Sequence, residues 1–266
     1  MFEVKILADS VNTAGNRLRT FCCTYPRIIH SELMTHRLFS RNAASSRAIP
    51  VEKILDMVMT NPFIPIHWGA AQKGMQAYAE VADKASCERE WLKARDHAVE
   101  QARRLLDLGL HKQVVNRILE PWMWITTIIS TTSLKHFELL RAHEAAEPHF
   151  QKLARMMVSA AAYSDATLLF PGEWHLPFLR LTEGDSELSE ENRLKVCTAR
   201  CARVSYLTHD GRRDVEEDIK LHDRLLENGH WSPFEHVAQA APGVQSGNFE
   251  GFVQYRKHFL GEFVRD

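Results

Sequence analysis

Between Met34 and Pro50 the chain reads MTHRLFSRNAASSRAIP, and Arg37, Arg41 and Arg47 alternate there with Ser40, Ser45 and Ser46 across spacers of alanine and asparagine. Small side chains let a ligand approach backbone and hydroxyl groups closely, and guanidinium forks bind phosphate in bidentate fashion. The pattern points to a nucleotide phosphate; a basic surface loop is its plain alternative. A second polar cluster lies in GHWSPFEH, which gathers His230, Ser232, Glu235 and His236. A metal site is one reading of these histidines, although their spacing matches no helical ligand pair such as H-E-x-x-H. Ser232-Pro233-Phe234-Glu235 has the form of a capping box, which accounts for Ser232 and Glu235 without a ligand and predicts a new helix there.

The elements that must hold these residues follow from periodicity. Residues 2–8 and 19–25 read as strands, and apolar residues at Ile28, Ile29, Leu33, Met34 and Leu38 give 27–39 near-helical spacing, with the serine-arginine run following as a loop. Residues 72–109 have strong helical propensity up to Gly109. A second helix over 111–120 sets Val114, Val115, Ile118 and Leu119 against a polar stripe of Gln113, Asn116, Arg117 and Glu120, which as a plain surface would be solvated. A third helix begins near Ser133 and should kink or restart at Pro148, with Glu147 before it. The acidic run 183–192 marks a surface connection. ARVSYLTHD at 202–210 reads as a strand and turn, and a last helix over 214–227 ends at Asn228-Gly229. The expected fold class is α+β, with several long helices against a small sheet, in one domain over 1–266.

Bulk composition narrows the partners. The 266 residues include 33 basic and 34 acidic ones, for a net charge of −1, so no global field attracts nucleic acid or an anionic membrane. Any phosphate binding must come from a local cluster. The five cysteines, Cys22, Cys23, Cys87, Cys197 and Cys201, lack paired C-x-x-C spacing, which suits a reduced, cytoplasmic protein. The opening MFEVKILADS suits a strand better than a signal peptide, and MWITTIIS falls far short of the ~20 residues of a membrane span.

HRLFSRNAASSR resembles the R-H-R-x-x-S-x-N-x-x-S-x-R signature of the flavin-dependent thymidylate synthases, with His36, Arg37, Ser40, Asn42, Ser45 and Arg47 in register. NRILEP and SLKHFELLRAHEAAEPHF resemble that family's carboxy-terminal helices, and ARVSY followed by GHWSPFEH resembles its amino-terminal flavin block. Here the flavin block comes last, within 193–266, after the arginine-loop and helical blocks of 1–182. This order is similar to a circularly permuted bacteriophage branch, for which the location would be the host cytoplasm. A fold tolerates such permutation when its original termini lie close together at the surface.

The resemblance implies a flavin- and folate-dependent one-carbon transfer to C5 of deoxyuridine monophosphate, with FAD as cofactor, methylenetetrahydrofolate and NADPH as co-substrates, and a homotetramer sharing its ligands across interfaces. By position, His36, Arg37, Ser205, Ser232 and Glu235 fall on flavin-contacting residues. Glu32, Ser45, Arg47, Arg117 and Arg141 fall on nucleotide-holding ones, and Arg141 and His230 on residues nearest the chemistry. Four positions depart from the pattern: Thr35 replaces an arginine, Ala43 an acidic residue, Ala145 a histidine and Glu32 a glutamine. Arg41 and Arg256 are the candidates to replace the missing cation, Arg256 being otherwise part of a solvated basic tail. Two rivals stay open, hydroxymethylation of a pyrimidine deoxynucleotide and a non-catalytic nucleotide- or nucleic-acid-binding relative.

Overall fold

A computed structural model describes residues 1–180, 184–208 and 214–259. Strands β1 (Glu3–Asn12) and β2 (Arg17–Pro26) form an antiparallel hairpin, as their alternation predicts. They enter a five-stranded sheet of order β3-β4-β2-β1-β5, in which β3 is Ser40–Ala43, β4 is Trp124–Thr131 and β5 is Thr167–Leu169. Only β5 runs parallel to its neighbour. Phe21, Cys23 and Tyr25 of β2 join Ile129 of β4 in a core with Phe150, Leu153 and Met157 of α6 (Pro148–Ala162). Cys22 and Ile128 instead meet Cys201 of α7 (Glu190–Arg203) and Val204 just beyond it. Successive strand residues point to opposite faces, and β2 and β4 are buried almost throughout because helices cover both sides.

The helical middle forms a second core. Ile54 and Val58 of α2 (Val51–Thr60) pack with Val99 and Ala102 of α3 (Lys84–Asp107) and with Leu119 and Trp122. α3 is the longest described helix, and it stops where expected, at a glycine, Gly109, with φ +80°. It starts at Asp83, whose carboxylate accepts from the Ser86 backbone NH, and residues 72–83 are not helical. Helix 111–120 reduces to one α-turn, α4 (Lys112–Val115), followed by 3-10 turns over Asn116–Trp122, because Pro121 removes a backbone donor. The expected third helix restarts at Pro148: α5 (Lys135–Arg141) ends, and Glu147 caps α6 by accepting from the Phe150 NH at 2.8 Å.

Several expectations are corrected. The helix over 27–39 is only α1 (His30–Leu33) after a 3-10 turn, with Ile29 and Leu33 buried and Ile28, Met34 and Leu38 exposed. Part of the serine-arginine loop is β3, paired with β4. Ala202–Tyr206 is not a strand but the end of α7 and a 3-10 turn; 209–210 lie outside the described residues. In the 183–192 segment, Asp185 is buried against Arg200 and α7 already begins at Glu190. α8 (Val215–Glu227) ends as expected, with Gly229 at φ +65°. Ser232–Glu235 forms a 3-10 turn without a side-chain cap, and the chain then enters β7 (Ala238–Ser246) rather than a helix.

β7 pairs with β6 (Trp174–His175) and β8 (Phe249–Gln254) in a second sheet. A buried polar chain joins the two sheets: Ser10 Oγ to His175 Nδ1 (2.8 Å), His175 Nε2 to Thr20 Oγ1 (2.8 Å), Thr20 to Ser130 (2.6 Å) and Ser130 to His236 Nδ1 (2.8 Å). Burial holds both imidazoles at about 3, so they are neutral. Gly251, at φ +74°, allows β8 to approach the β1–β2 turn, since a Cβ there would lie 2.4 Å from Asn12 Nδ2. That Nδ2 donates to the Gly251 carbonyl at 2.8 Å. Among the described residues no helix is long and apolar enough to cross a membrane.

Candidate functional site

The loop after β3 is fixed on several sides. The Ala44 NH donates to the Thr126 carbonyl (2.8 Å), the Ser45 NH to the Ser205 carbonyl (3.1 Å), and Lys112 Nζ to the Ala48 carbonyl (3.0 Å). Asn116, expected on a solvated stripe, is fully buried and donates through Nδ2 to the carbonyls of Ser46 (2.6 Å) and Ile49 (3.1 Å). A loop with this many anchors presents its remaining side chains in defined directions. Asn42 donates to the Cys201 carbonyl (2.7 Å) and accepts from Ser232 Oγ (3.4 Å), which draws the SPFE turn to β3 and removes Ser232 from a capping role.

The result is a cleft of about 800 Å³ lined by Ser45, Arg47, Ser205, His230 and Ser232, all expected site residues. Gln113, Tyr206 and Arg224 line it too and were not expected. The signal for Arg224 was its place in the last turn of α8, where a basic residue ordinarily serves the helix itself. Arg47 and Arg224 are its cationic lining groups, with His230 and Tyr206 beside them and no carboxylate among the described lining residues. Neither arginine has a side-chain hydrogen bond or ion pair among the described residues. Such a site favours an anion.

Glu32, His36 and Arg141 come together elsewhere. Arg141 Nη1 donates to Glu32 Oε2 (3.1 Å), its Nε donates to His36 Nε2 (3.0 Å), and its guanidinium lies 4.7 Å from the Phe150 ring centroid. Accepting that bond leaves the His36 proton on Nδ1, and burial, then Arg141 and Arg41, hold the imidazole at about 4. Burial raises the Glu32 carboxyl, and Arg141 opposes the rise. Glu32 and Arg141 line a cleft of about 760 Å³ that also contains Glu144 and Glu147. Unlike the first cleft, it is rich in acids.

Arg117 borders a third groove of about 470 Å³, where Glu120 Oε1 accepts from Arg117 Nη1 (3.1 Å), Arg27 Nη2 (3.3 Å) and Ser46 Oγ (3.4 Å). His30, held at about 4 by burial and the charges of Arg27 and Arg41, lines the same groove. Arg37 is exposed. Glu235 pairs with Arg256, so 255–258 is a 3-10 turn with a tied arginine and not a solvated tail. Arg41 Nη1 donates to the Met34 carbonyl (2.7 Å) and the His36 carbonyl (3.3 Å), and Thr35 Oγ1 donates to the Glu32 carbonyl (2.7 Å). Both candidate replacements for the missing arginine are therefore engaged within the chain. The residues after His236 do reach the arginine segment, since Gln254 Nε2 donates to Ser40 Oγ (2.9 Å) and Asn248 Nδ2 to the Leu38 carbonyl (3.0 Å).

Among the described residues no group of three or more His, Cys, Asp or Glu could hold a metal ion. His236, the partner in the His-x5-His reading, is instead buried on Ser130.

An arginine-serine loop on a mixed α+β scaffold defines the class, and comparison supplies the family. The model of the family described as thymidylate synthase complementing protein matches residues 18–163, more than half of the chain, and the chain belongs to that family. The match spans the arginine loop and the helical blocks and stops before the SPFEH block. Among solved structures, the chain is similar to a UMP/dUMP methylase PolB from Streptomyces cacaoi bound with 5-Br UMP, at 18% identity over 61% of this chain and 89% of that one, with TM-score 0.49. The same methylase bound with 5-Br dUMP matches at 18% identity over 61% and 90%, with TM-score 0.48. No curated protein matches the sequence.

Proposed function

We propose that the protein is an FAD-dependent enzyme transferring a one-carbon unit from methylenetetrahydrofolate to C5 of deoxyuridine monophosphate, with NADPH as reductant. The observation that carries this reading is the cleft, without a carboxylate among its described lining residues, that unites Ser45 and Arg47 of the signature loop with Ser205, His230 and Ser232 of the last block, in a chain of this family. Its guanidinium and hydroxyl donors suit a phosphate-bearing ligand, so the donor set fits both a mononucleotide and the pyrophosphate of FAD. Reduced flavin, when bound, supplies the electrons, a task that protein side chains cannot perform. The residues of this chain bind and orient: Arg47 and Ser45 would hold the nucleotide phosphate, and Ser205, Ser232 and His230 would line the flavin side.

Glu32, His36 and Arg141, together with Arg117, border other grooves of the same chain. We assign them to half-sites completed by further copies in a homotetramer, a reading supported by exposed Leu139 and Leu140 beside Arg141. The free cysteines suit a cytoplasmic setting. Light scattering with bound FAD tests the assembly, and a monomer would remove it. The chemistry is tested by incubating purified protein with FAD, NADPH, methylenetetrahydrofolate and deoxyuridine monophosphate, then taking a mass spectrum of the nucleotide. A methylated product is expected, a hydroxymethylated one would assign the rival reaction, and unchanged nucleotide with no flavin absorbance would leave a non-catalytic binder.

A further inference from the structure

Arg224 has no structural employment that accounts for it. Other charged side chains of α8 are engaged within the chain: Asp218 with Arg200 and Arg203, Lys220 with Glu216, and Asp223 with Lys195 and His222. Arg224 forms no ion pair among the described residues, even with Glu227 three residues on, where a helical pair would be favourable. The usual service of a last-turn arginine is to the open carbonyls of its helix end. Here three of the last four carbonyls have partners already: that of Arg224 accepts from the Asn228 NH (3.2 Å) and Nδ2 (2.7 Å), that of Leu225 from the His230 NH (2.9 Å) and that of Leu226 from the Gly229 NH (3.1 Å).

The turn that completes this capping also places Asn228 and His230 on the wall of the first cleft, with Arg224 beside them and Arg47 contributed by the anchored loop. Two guanidinium groups from different elements, neither with an ion pair among the described residues, face one cavity that has no carboxylate among its described lining residues. We propose that Arg224 is a ligand-holding residue that forms, with Arg47, a two-arginine clamp on the phosphoryl group or groups of whatever occupies this cleft. The proposal rests on the anion-binding reading of the cleft given above and adds a residue from outside the signature loop. The phosphoryl group could belong to the mononucleotide or to the FAD pyrophosphate, and experiment separates these sources.

The test compares wild type, Arg224→Ala and Arg224→Lys by calorimetric titration of deoxyuridine monophosphate, FAD and inorganic pyrophosphate at two salt concentrations, with melting temperature as the control for folding. Arg224→Ala should weaken one of these ligands by about 10-fold to 100-fold and flatten its salt dependence, and Arg224→Lys should recover part of the loss. A loss confined to deoxyuridine monophosphate assigns the nucleotide phosphate, and a loss confined to FAD assigns the pyrophosphate. Should wild type bind pyrophosphate through Arg224 but neither biological ligand, the functional reading fails and the clamp stands. Affinities unchanged for all three probes in a folded Arg224→Ala variant overturn the clamp. An Arg47→Ala loss beside an unchanged Arg224→Ala leaves the function intact and removes Arg224 alone.

Discussion

The α7–α8 pair and the 44–50 loop both carry arginines, in opposite circumstances. Arg200 and Arg203 are buried and share Asp218, with Nε–O distances of 3.1 and 2.6 Å, and Arg200 also donates to the Asp185 carboxylate and the Phe178 carbonyl. Arg47 is exposed on an anchored loop and faces a cleft without a carboxylate among its described lining residues. A guanidinium whose counter-charge is built into the fold serves structure; one whose counter-charge is missing is available to a ligand. Arg141 stands between the extremes, half-buried, paired with Glu32 and bonded to His36.

The buried side of the comparison breaks most visibly at Asp218. Asp218→Ala leaves Arg203 buried without its carboxylate and removes one of Arg200's two, so unfolding free energy should fall by about 3–5 kcal/mol, the cost of opening a buried ion pair. Urea denaturation reads it, and a loss below about 1 kcal/mol would mean that water already reaches the cluster. Nucleotide affinity of the folded fraction should not change.

Acid probes the other buried network. His175 and His236 are held at about 3, chiefly by burial, with Asp9 opposing the effect at His175 and the charge of His175 adding to it at His236. Their unfolded value is about 6.5, so between these limits the unfolded chain binds protons that the folded chain refuses. Their contribution is complete above about pH 6.5 and shrinks as pH falls. For the pair, stability should drop by about 2–3 kcal/mol between pH 5.5 and 4.5, seen as a falling urea midpoint. His236→Asn should roughly halve that slope; the same slope in the variant would place the proton uptake elsewhere.

On the open side, Arg47→Ala should weaken deoxyuridine monophosphate binding by about 1.5–3 kcal/mol, the range for hydrogen bonds to charged groups. Calorimetry measures it. Melting temperature should stay unchanged, because the exposed Arg47 side chain has no hydrogen bond or ion pair among the described residues to lose. Equal affinities would return Arg47 to an ordinary solvated loop and erase the contrast with Arg200.

What could be read from sequence divides along the same line. The β1–β2 alternation, the long α3, the restart at Pro148 and the Asn228-Gly229 stop are local patterns, and each appears in the structure. α7 was missed because EENRLKVCTARCAR is strongly charged, and its arginines enter the interior only through aspartates at 185 and 218. The SPFE capping box failed because Ser232 turns to Asn42, 190 residues away in sequence, and Glu235 to Arg256. At the cleft, the motif named Ser45 and Arg47, whereas Arg224 became visible only once the end of α8 lay beside that loop.

The pairing of Glu32 with Arg141 spans 109 positions and was equally hidden, and it gives the comparison its finest test. Burial raises the Glu32 carboxyl more than Arg141 lowers it, so the ionised form is disfavoured in the fold and its contribution to stability declines as pH rises through the folded value. With side chains 23% and 37% exposed, the pair is also screened by water. Glu32→Gln should therefore leave stability within about 0.5 kcal/mol. The neutral amide would still accept from Arg141 but would no longer neutralise it, so the guanidinium would regain its attraction for an anionic ligand. Deoxyuridine monophosphate should bind about two- to fivefold more tightly at neutral pH, with the gain shrinking as salt is added. Weaker binding in a folded Glu32→Gln variant would reverse the assignment, making the carboxylate a direct ligand contact rather than a restraint on Arg141.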